Sequence, residues 1–232
     1  MDPLAADDLR GWARRIAGAL RRSGRPVLVL QAAVLLPAGA AAYGLTALGP
    51  VGGLAAGLLA AAAIALAQAG SVHLIVREAA GTPTAVSTAL AAGGRAAPLL
   101  LGWSALTALL TAVGLALAVL PGLYAAVLGA AALPGVVVVE RAGLNRAARL
   151  VNRSLLGTVL RCAVGLFAAA FYGAAVGALV SALPGVAADV VRASSALPFS
   201  VLLAAFATVT YAGLRRAADG AGVAELSAEM PG

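Results

Sequence analysis

The sequence predicts an all-α, polytopic membrane protein: six transmembrane helices in three hairpins, joined to amphipathic interfacial helices. Three observations carry this. The 232 residues have a mean hydropathy of +0.99. Only 11% are charged, against about 25% in soluble domains. Several uncharged apolar runs reach the 18 or more residues that read as a spanning helix.

Residues 1–26 form the first predicted element, an amphipathic N-terminal helix. Leu9, Trp12, Ile16 and Leu20 share one face, with Arg10, Arg14, Arg15, Arg21 and Arg22 opposite. Such a helix lies in the membrane interface with its arginines toward lipid head groups. Arg25-Pro26 is expected to close it. The membrane domain, 27–214, follows. Its first span runs over 27–48 and is expected to stay uncleaved, although Ala38-Gly39-Ala40 resembles a signal-peptidase site. Gly49-Pro50 is a turn. The second span, 51–76, ends at Arg77-Glu78, and Thr82-Pro83 reads as the cap of a short piece over 84–95. The third span covers 98–120 and Pro121-Gly122 turns it. The fourth covers 123–139, bent at Pro134-Gly135.

The stretch 140–161 then carries five arginines. Burying Arg146, Arg149 and Arg153 at mid-membrane would cost about 8–10 kcal/mol on an insertion scale. A second interfacial helix is therefore predicted at about 141–158, with Leu144, Ala148, Val151, Leu155 and Val159 on its apolar stripe. A fifth span over 162–183, a loop at 184–196 and a sixth span over 197–214 complete the domain. Residues 215–232 read as a disordered tail.

Fifteen of the sixteen arginines, and no lysine, fall on one side of this threading; only Arg192 falls on the other. The positive-inside rule then places both termini in the cytoplasm and the protein in the cell membrane. Arginine blocks beside apolar runs point to anionic lipid rather than nucleic acid. Arg14, Arg15, Arg146, Arg149 and Arg153 are the candidate lipid contacts. Gly53 and Gly57, with Gly173 and Gly177 in a four-residue repeat from Ala169 to Ser181, are the candidate helix-packing positions. They suit packing within the bundle or a seam between two copies.

No enzyme chemistry is legible. Ser71 and His73 stand only two residues apart, on different helical faces. There is no G-x-S-x-G motif, phosphate loop or carboxylate pair. One histidine and one cysteine, Cys162, give neither an ordinary zinc site nor an intrachain disulfide, so no cofactor or metal is expected. No acid or lysine sits in mid-span. Gln68 is the most polar deep side chain, and a helix-to-helix hydrogen bond suits it.

The stretch "PGVVVVERAGLNRAARLVNRSLLGTVLR" at 134–161 resembles the signature of a bacterial six-span membrane family. That family is similar to the membrane domain of glycerophosphoryl diester phosphodiesterases. The matching residues are Pro134, Glu140, Arg141, Gly143, Ser154, Gly157 and Arg161, with the Tyr-x-x-Leu-Arg region from Tyr211 to Arg215. The chain lacks the aromatics that follow the serine in the family pattern. It carries no phosphodiesterase domain, so the resemblance implies a six-span fold and no hydrolase activity. The expected function is non-enzymatic: organising lipid or partner proteins at the inner leaflet, alone or as a homo-oligomer. The alternative is a permease-like subunit of an ATP-driven exporter.

Overall fold

The computed structural model describes Leu4 and residues 8–230, and every regular element among them is helical. The other residues of 1–7 and the last two of the tail lie outside the described residues. The helices are α1 (Leu9–Thr46), α2 (Gly49–Ala79), α3 (Val86–Leu117), α4 (Val119–Ala131), α5 (Leu133–Glu140), α6 (Leu144–Arg153), α7 (Leu155–Ala182), α8 (Gly185–Asp219) and α9 (Val223–Glu229). Five are long and apolar enough to cross a membrane, and a sixth crossing results if α4 and α5, bent by 46°, count as one. The chain has the make-up of a membrane-embedded protein.

α1 opens on Asp8, whose carboxylate accepts from the Gly11 N–H at 2.8 Å, a side-chain N-cap. The break expected at Arg25-Pro26 does not form. The helix runs through Pro26 and Pro37 to Thr46. A proline inside a helix removes one hydrogen bond and kinks it, and long apolar helices tolerate this when neighbours support them. The same applies at Pro98 in α3 and Pro198 in α8. The short piece expected at 84–95 and the loop expected at 184–196 are thus the beginnings of long helices.

α1 is inclined across the bundle. Trp12 donates to Thr210 of α8 at 3.0 Å, while Leu30 lies beside Gly70, just beyond Gln68, which bonds Ser200. Those two levels are about 12 Å apart along α8, whereas the helix from Trp12 to Leu30 is about 27 Å long. The first half of α1 therefore crosses α8 obliquely before α1 aligns with α2.

The turn expected at Gly49-Pro50 falls two residues earlier, at Ala47 and Leu48, and Gly49 (φ +77°) and Pro50 are the first residues of α2. Thr82 does not cap α3. Its N–H and its hydroxyl both return to the Arg77 carbonyl, at 3.0 and 3.2 Å, and close α2 instead. The α3–α4 turn falls at Ala118, whose backbone is extended, and Pro121 sits in the first turn of α4. The bend before α5 comes at Ala132, just ahead of Pro134.

The core lies where α1, α2, α5 and α8 meet, around Val27, Leu30, Val72, Leu74, Val136, Tyr211 and Leu214. Close approach of α3 to α2 needs glycine. A Cβ on Gly93 would come within 2.8 Å of the Gly70 nitrogen. α7 is different: Thr158 is its one buried residue, and it packs chiefly on α8. The tail expected to be disordered is folded. α8 continues to Asp219, α9 follows, and Leu226 and Met230 are buried.

Candidate functional site

The arginine-rich stretch that follows α5 is built around one backbone irregularity. Arg141 takes a left-handed conformation, φ 52°, the one non-glycine positive φ among the described residues. Such a conformation is uncommon outside glycine. It turns the chain sharply between α5 and α6, with the Ala142 N–H returning to the Val136 carbonyl at 3.3 Å and the Arg141 guanidinium on the Arg95 carbonyl at 3.3 Å. Gly143, one residue before α6, lies against the Trp103 ring, with no room for a side chain.

The turn brings Glu140 and Arg146 together at 2.6 Å. The other Glu140 oxygen accepts from the Tyr211 hydroxyl at 2.9 Å and faces Arg215 at 3.0 Å. Arg215 also lies 3.0 Å from Asp219, one turn further along α8, and holds both oxygens of Glu229 at 2.8 and 2.9 Å. Arg146 completes the ring through Asp219. Two guanidinium groups thus share three carboxylates, and five side chains tie α5, α6, α8 and α9 into one latch. The side chain of Arg215 is only 6% exposed. Such a charge is tolerable because Nη1 and Nη2 bond Glu229 and the tyrosine oxygen and lie against Glu140, while Nε, which makes no hydrogen bond, stands beside the Asp219 carboxylate. Burial works against the charged form of Arg146, yet the hydrogen bonds and charges of Glu140 and Asp219 hold it above the ordinary arginine value. Gly135 makes room for the Tyr211 ring, which would collide with any Cβ there.

The five arginines expected to meet lipid divide. Arg146 is a latch residue, not a free surface cation. Arg153 donates to the Ala218 carbonyl. Arg15 is half-buried, whereas Arg14 and Arg149 are exposed. The sequence places Arg10 and Arg21 on the head-group face of the N-terminal helix but leaves Arg25 to a helix end. With Arg14 these form an exposed stripe on α1, opposite the buried side that carries Trp12, Ala19 and Ser23. Trp12 also meets Phe206 edge to face, ring centroids 5.6 Å apart.

Within one chain the expected packing glycines do not stand at close helix contacts. A Cβ added to Gly53, Gly57, Gly173 or Gly177 would meet nothing within 4 Å. Ser71 donates to the Ala67 carbonyl and accepts from Gln31 at 3.0 Å, while His73 is buried near the end of α2. Gln68 makes the interhelical bond its position predicts, to the hydroxyl and carbonyl of Ser200 at 3.0 and 3.2 Å. Among the described residues no three His, Cys, Asp or Glu gather as metal ligands. Of the residues carrying the family resemblance, Glu140, Tyr211 and Arg215 meet in the latch. Ser154 and Thr158 pair elsewhere, 3.5 Å apart. No family model, curated protein or solved structure matches the chain.

Proposed function

We propose that this chain is a non-enzymatic integral membrane protein of the cell membrane that gathers anionic lipids, or partner proteins, at the inner leaflet. On this reading it has six spans in three hairpins, with both termini, the α6 region and α9 in the cytoplasm. It belongs with the six-span proteins resembling the phosphodiesterase membrane domain. The support for that kinship is that Glu140 of one signature stretch pairs with Tyr211 and Arg215 of the other.

The exposed stripe of Arg10, Arg14, Arg21 and Arg25 carries the lipid reading. A basic residue close to an anionic leaflet contributes about 1 kcal/mol, so the four together contribute about 4 kcal/mol at low salt. Screening limits the effect to about 8 Å at physiological ionic strength. The oblique course of α1 is the geometry that would hold the stripe along a membrane surface.

The test uses the full chain in mixed neutral and anionic lipid, comparing wild type with a variant in which all four arginines are glutamine. Wild type should retain anionic lipid on purification, and the variant should retain much less. Equal retention would remove the lipid half of the proposal. Recovery of an ATPase subunit with the chain would favour the exporter reading instead. Threading is tested separately with single cysteines in a Cys162→Ala background. Position 187 should react with an impermeant thiol reagent on intact cells, and positions 146 and 222 only after the membrane is opened.

A further inference from the structure

Two adjoining clefts lie in the apolar part of the bundle. One, of about 520 Å³, runs between α3 and α4 past Thr107, Thr111, Leu115 and Ala126. The other, of about 410 Å³, lies among α2, α3, α4, α5 and α8 and includes Ile64, Gln68, Leu101, Pro134 and Leu203. They share Ser104, Ala108, Gly129 and Ala130. No charged residue lines either one, and volumes of this size suit a small lipid-like molecule.

Two polar groups in the second cleft are left over after the protein's own bonding. Gln68 is 7% exposed. Its amide orientation is fixed, because the group facing the Ser200 carbonyl must be the N–H₂. Both of its bonds use that nitrogen, so Oε1 accepts no hydrogen bond among the described residues. It is also not sealed in, unlike Oε1 of Gln31, which is buried without a partner. Ser104 is the second group. Thr107, Thr111, Ser71 and Thr208 each turn a hydroxyl back to the carbonyl four residues earlier. Ser104 makes no such bond among the described residues, and it lines both clefts while exposed. A free acceptor and a free hydroxyl in hydrocarbon surroundings are costly unless something pairs with them.

We propose that this cleft binds an uncharged lipid bearing a hydroxyl, whose hydrocarbon lies between α3 and α4. The hydroxyl donates to Gln68 Oε1 and pairs with Ser104. The depth selects the class. Gln68 lies about 13 Å of helix from Arg77, the nearest charge along α2. A phospholipid keeps its head group at the interface and offers the cleft only acyl chain. A neutral lipid alcohol carries its donor inward. No arginine of the α1 stripe lines the cleft, so the site stands or falls independently of the surface proposed above.

The experiment is photolabelling of the full chain in neutral phospholipid nanodiscs. The probe is hexadecanol with a mid-chain diazirine, and the control is its methyl ether. Adducts should concentrate on 61–68, 100–108, 129–134 and 203–207. The alcohol should label about five-fold more than the ether, the effect of one net hydrogen bond. Unlabelled hexadecanol should compete and hexadecane should not. Gln68→Leu and Ser104→Ala should each lower alcohol labelling toward the ether's level. Ser104 is exposed, so its variant leaves the bundle folded even where loss of the Gln68–Ser200 bond unsettles α8. Ala130→Phe should fill the cleft and remove the adducts. Equal labelling by alcohol and ether, undiminished labelling of Ser104→Ala, or adducts spread over the exposed Phe167 and Phe171 would overturn the proposal.

Discussion

Replacing Arg215 with glutamine tests whether the latch holds the α8–α9 end together. The substitution leaves Glu140, Asp219 and Glu229 with Arg146 as their one cation, and Arg146 touches only the first two. Glu229 then has no partner in the latch. Breaking a buried pair by removing one partner costs about 3–5 kcal/mol, because the other charges stay desolvated. Glu229 is 40% exposed and recovers water, so the low end, about 3 kcal/mol, is expected. Arg215→Lys keeps the charge but cannot hold both Glu229 oxygens while also reaching Glu140 and Asp219. Its loss should be about half as large. Exposed Arg14→Gln should change stability by less than about 0.5 kcal/mol. Reversible unfolding in mixed micelles, followed by circular dichroism, gives the three values. The double variant Arg215→Gln with Glu140→Gln should cost less than the sum of the singles, by about 1–3 kcal/mol of coupling. Additive single and double variants, or Arg215→Gln as harmless as Arg14→Gln, would refute the reasoning.

Gly135→Ala should push Tyr211 off Glu140 and cost about 1–3 kcal/mol by overpacking, whereas Gly53→Ala should be neutral or slightly stabilising in the same unfolding assay. A cysteine at Leu226 should react slowly with a thiol reagent in the otherwise native chain and much faster once Arg215 is glutamine, because α9 then lifts. Trp12→Phe keeps the ring against Phe206 but loses the bond to Thr210; about 1 kcal/mol of stability should go with it, read by the same unfolding curves. Gly93→Val should force α2 and α3 apart and lower the yield of folded protein on gel filtration, while Gly173→Val should not.

The long helices were legible because hydropathy over twenty residues is a local property. The helix end near Arg77-Glu78, a break within two residues of Gly49-Pro50 and the bend near Pro134 follow from the same kind of signal. The element ends were less so. Pro26, Pro98 and Pro198 read as punctuation, yet α1, α3 and α8 continue through them, as long apolar helices can where the freed backbone groups find other partners. Gln68 could be matched to an interhelical bond from its depth, though not to Ser200. The latch was out of reach for another reason. Glu140 meets Tyr211 and Arg215 more than 70 residues away, and nothing near Asp219 or Glu229 marks them as partners of Arg146 and Arg215. Arg146 and Arg149 look alike on a helical wheel, and only the turn at Arg141 decides that one is paired and the other exposed. The small-residue repeat at 169–181 was visible, but periodicity alone cannot say whether a face is occupied. Gly135 and Gly143, which do sit against rings, belong to no such repeat.

The loose seating of α7 bears on how the chain is made. During synthesis α1, α2 and α3 can pack as they emerge, since each touches the one before it. α8 contributes Thr210, Ser200 and Tyr211 to partners far earlier in the chain. With only Thr158 buried, α7 makes little demand on a specific seat and works as a tether that delivers α8. Insertion errors in α7 should therefore be forgiven as long as it still crosses. A nascent chain halted before residue 215 should remain an open assembly, accessible to membrane quality control, until the last turn of α8 leaves the ribosome.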